Sequence, residues 1–201
     1  MSTTFIYLAS ASPRRLQLLE QIGVVPRMLL PGHAENAEKL EELRSGEPPL
    51  IYVQRVARLK LDAARHRLAK RRLPEAPILC ADTTVAIGRR VLGKPAHPDE
   101  AREMLGALAG RSHRVMTAVA VSAGAQTLLE TSITRVTFRS LSALEIDAYV
   151  ESGEPRGKAG AYAIQGRAGG WVTRIDGSYS GVMGLPLHDA AVLLRRAGLR
   201  I

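Results

Sequence analysis

The chain has 201 residues, of which 46% are hydrophobic and 23% charged, enough to bury a core as one domain or as two lobes of one domain. A formal net charge of +9 favours polyanionic partners of any kind, whether nucleotides, nucleic acids or membrane surfaces, yet only 4% of residues are aromatic, which argues against a broad base-stacking platform. The lone Cys80 excludes an internal disulfide and a cysteine-based zinc cage, and no run of about 18 apolar residues exists to span a membrane, so a cytoplasmic protein is expected.

Phe5 to Ala9 reads as a short buried strand. Ser12 is placed as an N-cap and Pro13 as the first helical residue of a helix running to about Ile22 and stopping at Gly23. Arg14 and Arg15 then fall in its first turn, beside amides that already carry partial positive charge. Cations there are unfavourable by ~0.3–1 kcal/mol each unless an anion sits among them, which points to an oligophosphate site. The competing reading is two solvated arginines on an exposed turn.

After an irregular, mixed-charge stretch through Glu47, a helix is expected from about Leu50 to Lys70, ended by the LPEAP breaker at Leu73 to Pro77. Lys60 lies on its apolar line Val53, Val56, Ala57, Ala64, so it either snorkels to the surface or meets an anion; from the helix alone, snorkelling is the commoner outcome. The basic run Arg65-His66-Arg67 to Lys70-Arg71-Arg72 and the C-terminal Arg195, Arg196 and Arg200 read as solvated helix-end charge.

Ile78 to Ile87 is strand-like, interrupted by Asp82, Thr83 and Thr84. Aspartate is depleted in strands, and a carboxylate behind the apolar run Ile78-Leu79-Cys80-Ala81 is suited to hold a metal, to act as general base, or to cap the turn. A turn at Gly88-Arg89-Arg90 leads to Gly93-Lys94-Pro95, where Lys94 either meets the same phosphates or is an ordinary turn lysine. Pro98 opens a helix closed by Gly110, and strands follow around Val115 to Val121 and Thr127 to Phe138, joined at Ala123-Gly124-Ala125. His113 is expected to pack or bond within the sheet, without a catalytic role.

Ser142 and Glu145 form a capping box for a helix to about Ser152. The glycine-rich third from Gly153 to Gly184 includes EPRGKAGAYAIQG, small residues around Lys158 and Gln165, and the chain closes with a helix from Leu187 to about Ala197. The amide of Gln165 offers both an acceptor and a donor, suited to a base edge; a structural glutamine is the alternative. Alternating strands and helices with one long hairpin predict an α/β fold with a mixed, twisted sheet flanked by helices, in two lobes with a central cleft, spanning residues 1–201 as a single domain. Paired cysteine motifs, a Walker-type loop and a serine elbow are absent from the sequence.

The segments LASASPRRLQLLEQIG, CADTTV, LGKP, GRSHRVMTA, KAGAYAIQG and DGSYSGVMGLPL, in this order, resemble the Maf-type nucleotide pyrophosphatases from about residue 6 to the C-terminus. The resemblance implies hydrolysis of a nucleoside triphosphate to the monophosphate and pyrophosphate, with a divalent cation (Mg²⁺ or Mn²⁺) and Asp82 as the base. Arg14, Thr83 and Gln165 stand where the branches of that family differ, and they match its dTTP/UTP branch rather than the 7-methyl-GTP branch. The resemblance further implies Glu35 as a metal ligand and a homodimer. The mechanism expected on it has Lys60 and Lys94 as catalytic, stabilising charge on the leaving group and bridging oxygen with Arg14 and Arg15, while Ser10 and Ser12 add substrate hydrogen bonds. The cation is held by Glu35 and the substrate phosphates, with Asp82 as an alternative further ligand. The acid-rich segment usual in the family is reduced here to Pro31-Gly32-His33-Ala34-Glu35, where only Glu35 matches the metal-binding acid. Two rival readings accompany this one. The first is the same chemistry on other modified nucleotides, and the second a basic nucleic-acid-binding or cell-division regulatory protein; no helix-turn-helix, RNP or KH signature supports specific nucleic-acid binding.

Overall fold

A computed structural model describes residues 5–32, 35 and 38–201. His33 and Ala34 of the acid-poor segment lie outside the described residues. The elements run β1 (Tyr7–Leu8), α1 (Pro13–Gln21), β2 (Arg27–Met28), a 3₁₀ turn (Glu38–Glu41), α2 (Pro49–Lys70), β3 (Ile78–Ile87), β4 (Arg90–Leu92), α3 (Pro98–Leu108), β5 (Ser112–Ala123) and β6 (Gln126–Phe138). There follow α4 (Ala143–Glu151), 3₁₀ turns at Ala159–Ala161 and Arg167–Trp171, β7 (Val172–Asp176), α5 (Tyr179–Met183) and α6 (Leu187–Arg196).

One mixed sheet of seven strands has the order β2-β1-β3-β5-β6-β7, with β4 folded onto the far end of β3. β2, β1 and β3 are mutually parallel, whereas β3, β5, β6 and β7 pair antiparallel. This is the expected α/β architecture. β4 doubles back antiparallel on the end of β3, the segment through α3 returns the chain so that β5 also pairs antiparallel with β3, and the turn at Gly124, with φ +57°, then continues the meander directly.

Alternation along β3 divides the core. Ile78, Cys80 and Ala86 pack under α2 with Val53, Val56, Ala57, Leu61 and Ala64. Leu79 and Ala81 pack on the other face against Leu18 and Leu19 of α1 and Leu193 and Leu194 of α6. Fully burying each such leucine contributes about 1.5–3 kcal/mol. Beyond Asp82 the strand enters a third cluster, built on α3, α4 and the glycine-rich segment, in which Val85 packs with Leu105, Tyr149 and Trp171. Cys80, fully buried beneath α2, has its thiol pushed up to about 12 by that burial.

His113 behaves as expected: its Nε2 lies 2.8 Å from the Tyr162 hydroxyl, edge-on to Phe138 and Tyr162, and burial pushes its pKa down to about 4. The capping box at α4 is complete, with Glu145 N donating to Ser142 Oγ (3.3 Å) and Ser142 N to Glu145 Oε2 (2.9 Å).

In the basic run closing α2, His66, Lys70, Arg71 and Arg72 are exposed as expected, and Arg67 departs from expectation. Arg67 is not solvated: it is 7% exposed and donates to Leu29 O (2.9 Å) and to the Glu35 carboxylate. Arg65 is partly exposed and bonds Thr127 Oγ1 (2.9 Å) at the β5–β6 turn. Both are recruited because the loop before α2 and the hairpin tip present oxygens at the helix end, where extended guanidinium groups reach them.

Candidate active site

The cleft, about 790 Å³, lies where β3 passes from the first pair of core clusters into the third. Its position follows from the same alternation that divides the core. Asp82 shares a face with Cys80 and so looks toward α2; Thr83, one residue on, takes the opposite face and looks toward α1. Both line the cleft, as do Ser10, Ser12, Arg14, Arg15, Lys60, Lys94 and Gln165.

On the α2 side, Lys60 does not snorkel. Its Nζ donates to Asp82 Oδ1 at 2.5 Å and to Glu41 Oε1 at 2.8 Å. Glu41 also accepts from Lys94 Nζ at 2.6 Å through Oε2. Two lysines from α2 and the β4–α3 turn thus converge on two carboxylates. Burial alone would raise the Glu41 carboxyl, but the Lys60 charge and hydrogen bonds from Lys60 and Lys94 hold it below the usual range. Asp82 is 6% exposed, and its Oδ2 makes no hydrogen bond among the described residues, so one carboxylate oxygen is free for a ligand or a proton.

Glu41 is a site residue that sequence reading missed. Glu35 goes elsewhere: it is exposed, outside the cleft lining, and its carboxylate accepts from Arg67 Nη2 at 2.6 Å and from Gly32 N at 3.1 Å. The Arg67 hydrogen bond, above all, pulls the Glu35 carboxyl down to about 2.

On the α1 side, Ser12 sits at the N-cap but its side chain makes no capping bond. Ser10 Oγ instead accepts from Ser12 N (3.2 Å) and from Arg15 Nη1 (3.1 Å). Arg15 turns inward, donating also to Gly184 O (2.8 Å) and Thr83 Oγ1 (3.3 Å). The Thr83 and Thr117 hydroxyls are 2.9 Å apart, and Thr117 donates its only hydroxyl hydrogen to Gly181 O at 2.7 Å. Thr83 must therefore donate to Thr117, giving a directed chain Arg15 → Thr83 → Thr117 → Gly181. Arg15 and the Thr83 hydroxyl serve the scaffold as well as the cleft. Arg14, in contrast, has no hydrogen-bond or ion-pair partner among the described residues.

A further wall is the segment from Gly157 to Gln165. It is fixed to the Lys94 turn by Gly160 N donating to Gly93 O at 2.9 Å. Gly160 has φ +67°, and a Cβ there would lie 2.8 Å from Val85 Cγ1, so glycine is required both for the turn and for the close approach. Gln165 is exposed in the cleft, and its side-chain amide makes no hydrogen bond among the described residues.

Among the described residues no group of three or more His, Cys, Asp and Glu converges as a ready-made metal site. Asp82 and Glu41 do present hard oxygens around a single ammonium. One or two carboxylates completed by phosphate oxygens and water is the usual ligand set of Mg²⁺, so this pair fits such an ion in company with a phosphorylated substrate.

A family model described as Maf-like protein matches residues 5–197. The chain is 57% identical over 197 residues to a dTTP/UTP pyrophosphatase of Polaromonas sp. (strain JS666 / ATCC BAA-500), covering 98% of both chains. It is 58% identical to a protein of the same name from Cupriavidus metallidurans, again over 98% of both. A third so named, from Ralstonia nicotianae, is 51% identical over 98% of this chain and 95% of its own.

Proposed function

We propose that this chain, which belongs to the Maf-like protein family, hydrolyses dTTP and UTP to the nucleoside monophosphate and pyrophosphate, a nucleotide-pool housekeeping reaction. The observation that carries the chemistry is Asp82: a nearly buried carboxylate with one oxygen held by Lys60 and the other open to a cationic cleft.

In this reading Lys60 fixes the Asp82 carboxylate through Oδ1, and Oδ2 orients a water and takes its proton as the water attacks the α-phosphorus. The bond from the α-phosphorus to the bridging oxygen breaks, and pyrophosphate departs with that oxygen. Lys60 and Lys94 then face the charge gathering on the bridging oxygen and leaving group, the principal demand of phosphoryl transfer. Their pairing with Glu41 holds them in place beforehand. A divalent cation, Mg²⁺ or Mn²⁺, would be held by Asp82, Glu41 and the substrate phosphates, and would supply neutralisation of the triphosphate charge.

The free amide of Gln165 is suited to the acceptor and donor groups alternating along a thymine or uracil edge, which supports the pyrimidine assignment. The same reading places the enzyme in the cytoplasm as a homodimer, on the family resemblance and on a single buried cysteine. Among the described residues no helix is long and apolar enough to cross a membrane.

The test is pyrophosphate release from dTTP, UTP, CTP, ATP, GTP and 7-methyl-GTP with Mg²⁺ or Mn²⁺. Release concentrated on dTTP and UTP is expected; release from none of them overturns the assignment.

The acid residues separate by a paired measurement. Glu41→Gln removes a charge that organises both lysines, and a loss of about 10- to 100-fold in kcat/KM is expected, with melting temperature little changed. Glu35→Gln leaves the buried Arg67 without its anion and is expected to cost roughly 1–3 kcal/mol of stability, read in urea titrations, with turnover of the folded enzyme within a few-fold of wild type. A larger loss of turnover from Glu35→Gln than from Glu41→Gln would return the metal-ligand role to Glu35.

A further inference from the structure

Of the cations around the cleft, most are already engaged. Lys60 and Lys94 are held by Asp82 and Glu41, and three N–H groups of Arg15 are held by the neutral acceptors Gly184 O, Ser10 Oγ and Thr83 Oγ1. Arg14 and Lys158 differ: both line the cleft, and neither side chain has a hydrogen bond or ion pair among the described residues.

Lys158 does not sit on a loose tail. Its carbonyl accepts from Ala161 N at 3.0 Å, and the Gly160 N to Gly93 O bond of 2.9 Å clamps this turn to the residue preceding Lys94. Lys158 is therefore anchored next to the Lys94 turn and, from there, close enough to Arg14 for their charges to interact. Burial, and secondly the Arg14 charge, both press its pKa down. Two like charges without an anion between them, one of them partly desolvated, cost free energy that a multiply charged ligand relieves.

We propose that Lys158, together with Arg14, grips the terminal phosphate of the substrate and so sets the preference for triphosphates over diphosphates. The inference rests on the proposed reaction for its orientation. With the α-phosphorus at Asp82, where the lysines are already matched by carboxylates, the rest of the phosphate chain runs toward Arg14 and Lys158, whose N–H groups have no other partner among the described residues. A diphosphate is one group too short to gain from it.

The experiment titrates dTTP, CTP, dTDP, TMP and inorganic pyrophosphate by calorimetry into protein carrying Asp82→Asn, with and without Lys158→Met or Lys158→Arg. Lys158→Met is expected to weaken dTTP and pyrophosphate by about 10- to 100-fold while leaving dTDP and TMP within about twofold, since a hydrogen bond to a charged group is the interaction lost. Lys158→Arg is expected to restore most of the loss. Retained TMP binding shows that the variant is folded. Equal weakening of dTTP and dTDP, or unchanged pyrophosphate binding, overturns the proposal. A change in the affinity ratio of dTTP to CTP without one in pyrophosphate affinity also overturns it, by placing Lys158 at the base. Should wild-type protein release pyrophosphate from no triphosphate, the proposed reaction falls, and binding of inorganic pyrophosphate to wild type and Lys158→Met still decides the role of Lys158.

Discussion

Asp82→Asn is expected to lower pyrophosphate release from dTTP by about 10²- to 10⁴-fold, the range typical for removing a general base. The substitution keeps the shape of the side chain and an oxygen able to accept from Lys60, so the cluster of Lys60, Glu41 and Lys94 is expected to survive. Binding of dTTP, measured by calorimetry, should hold or tighten, because one negative charge is removed from beside a triphosphate. A fall confined to kcat is the signature of a group that acts on the reacting atoms. A variant with wild-type kcat, or one whose losses all lie in KM, would remove Asp82 from the chemistry.

The largest expected effect on stability belongs to Gly160→Ala. An added Cβ would stand 2.8 Å from Val85 Cγ1 and 2.9 Å from Val85 Cβ, on a backbone with φ +67°. The left-handed backbone costs about 1–2 kcal/mol, and forcing extra volume against a packed side chain adds about 1–3 kcal/mol. For a chain of this size the sum corresponds to a fall in melting temperature of very roughly 5–20 °C, measurable by calorimetry. Val85→Ala in the same protein should recover the steric part and leave the backbone part, so the two substitutions are expected to be non-additive. A melting temperature within about a degree of wild type would show that the turn relaxes freely, and that its bond to Gly93 does not fix the lysine turns.

Much of the frame was legible wherever a local rule decides the outcome. β3 was readable over its full span because its apolar run and its polar break both follow the sheet period, and α4 because Ser142 and Glu145 satisfy each other within one turn. Asp82 stood out for the same reason, as a residue type the strand disfavours. β7 and α5 were not legible: Val172–Asp176 is mostly exposed, α5 spans only five residues, and both sit among glycines that mask any period. Glu41 was hidden differently. It is one of several similar acids before α2, and what distinguishes it is Lys60, 19 residues away and brought near only when α2 docks on the sheet. Arg67 misled for the converse reason. A basic helix end resembles a solvated one until the oxygens of Leu29 and Glu35 are folded over it.

Cys80 stands two positions before Asp82, on the same face of β3. With its thiol fully buried and its pKa pushed up to about 12, it carries almost no thiolate in the folded chain at neutral pH. An alkylating reagent must therefore wait for the central strand to come free of α2, and, with no second cysteine to react, each molecule gains either one adduct or none. The adduct count becomes a clock for opening events at the middle of the sheet, read by mass, without a label introduced anywhere in the chain.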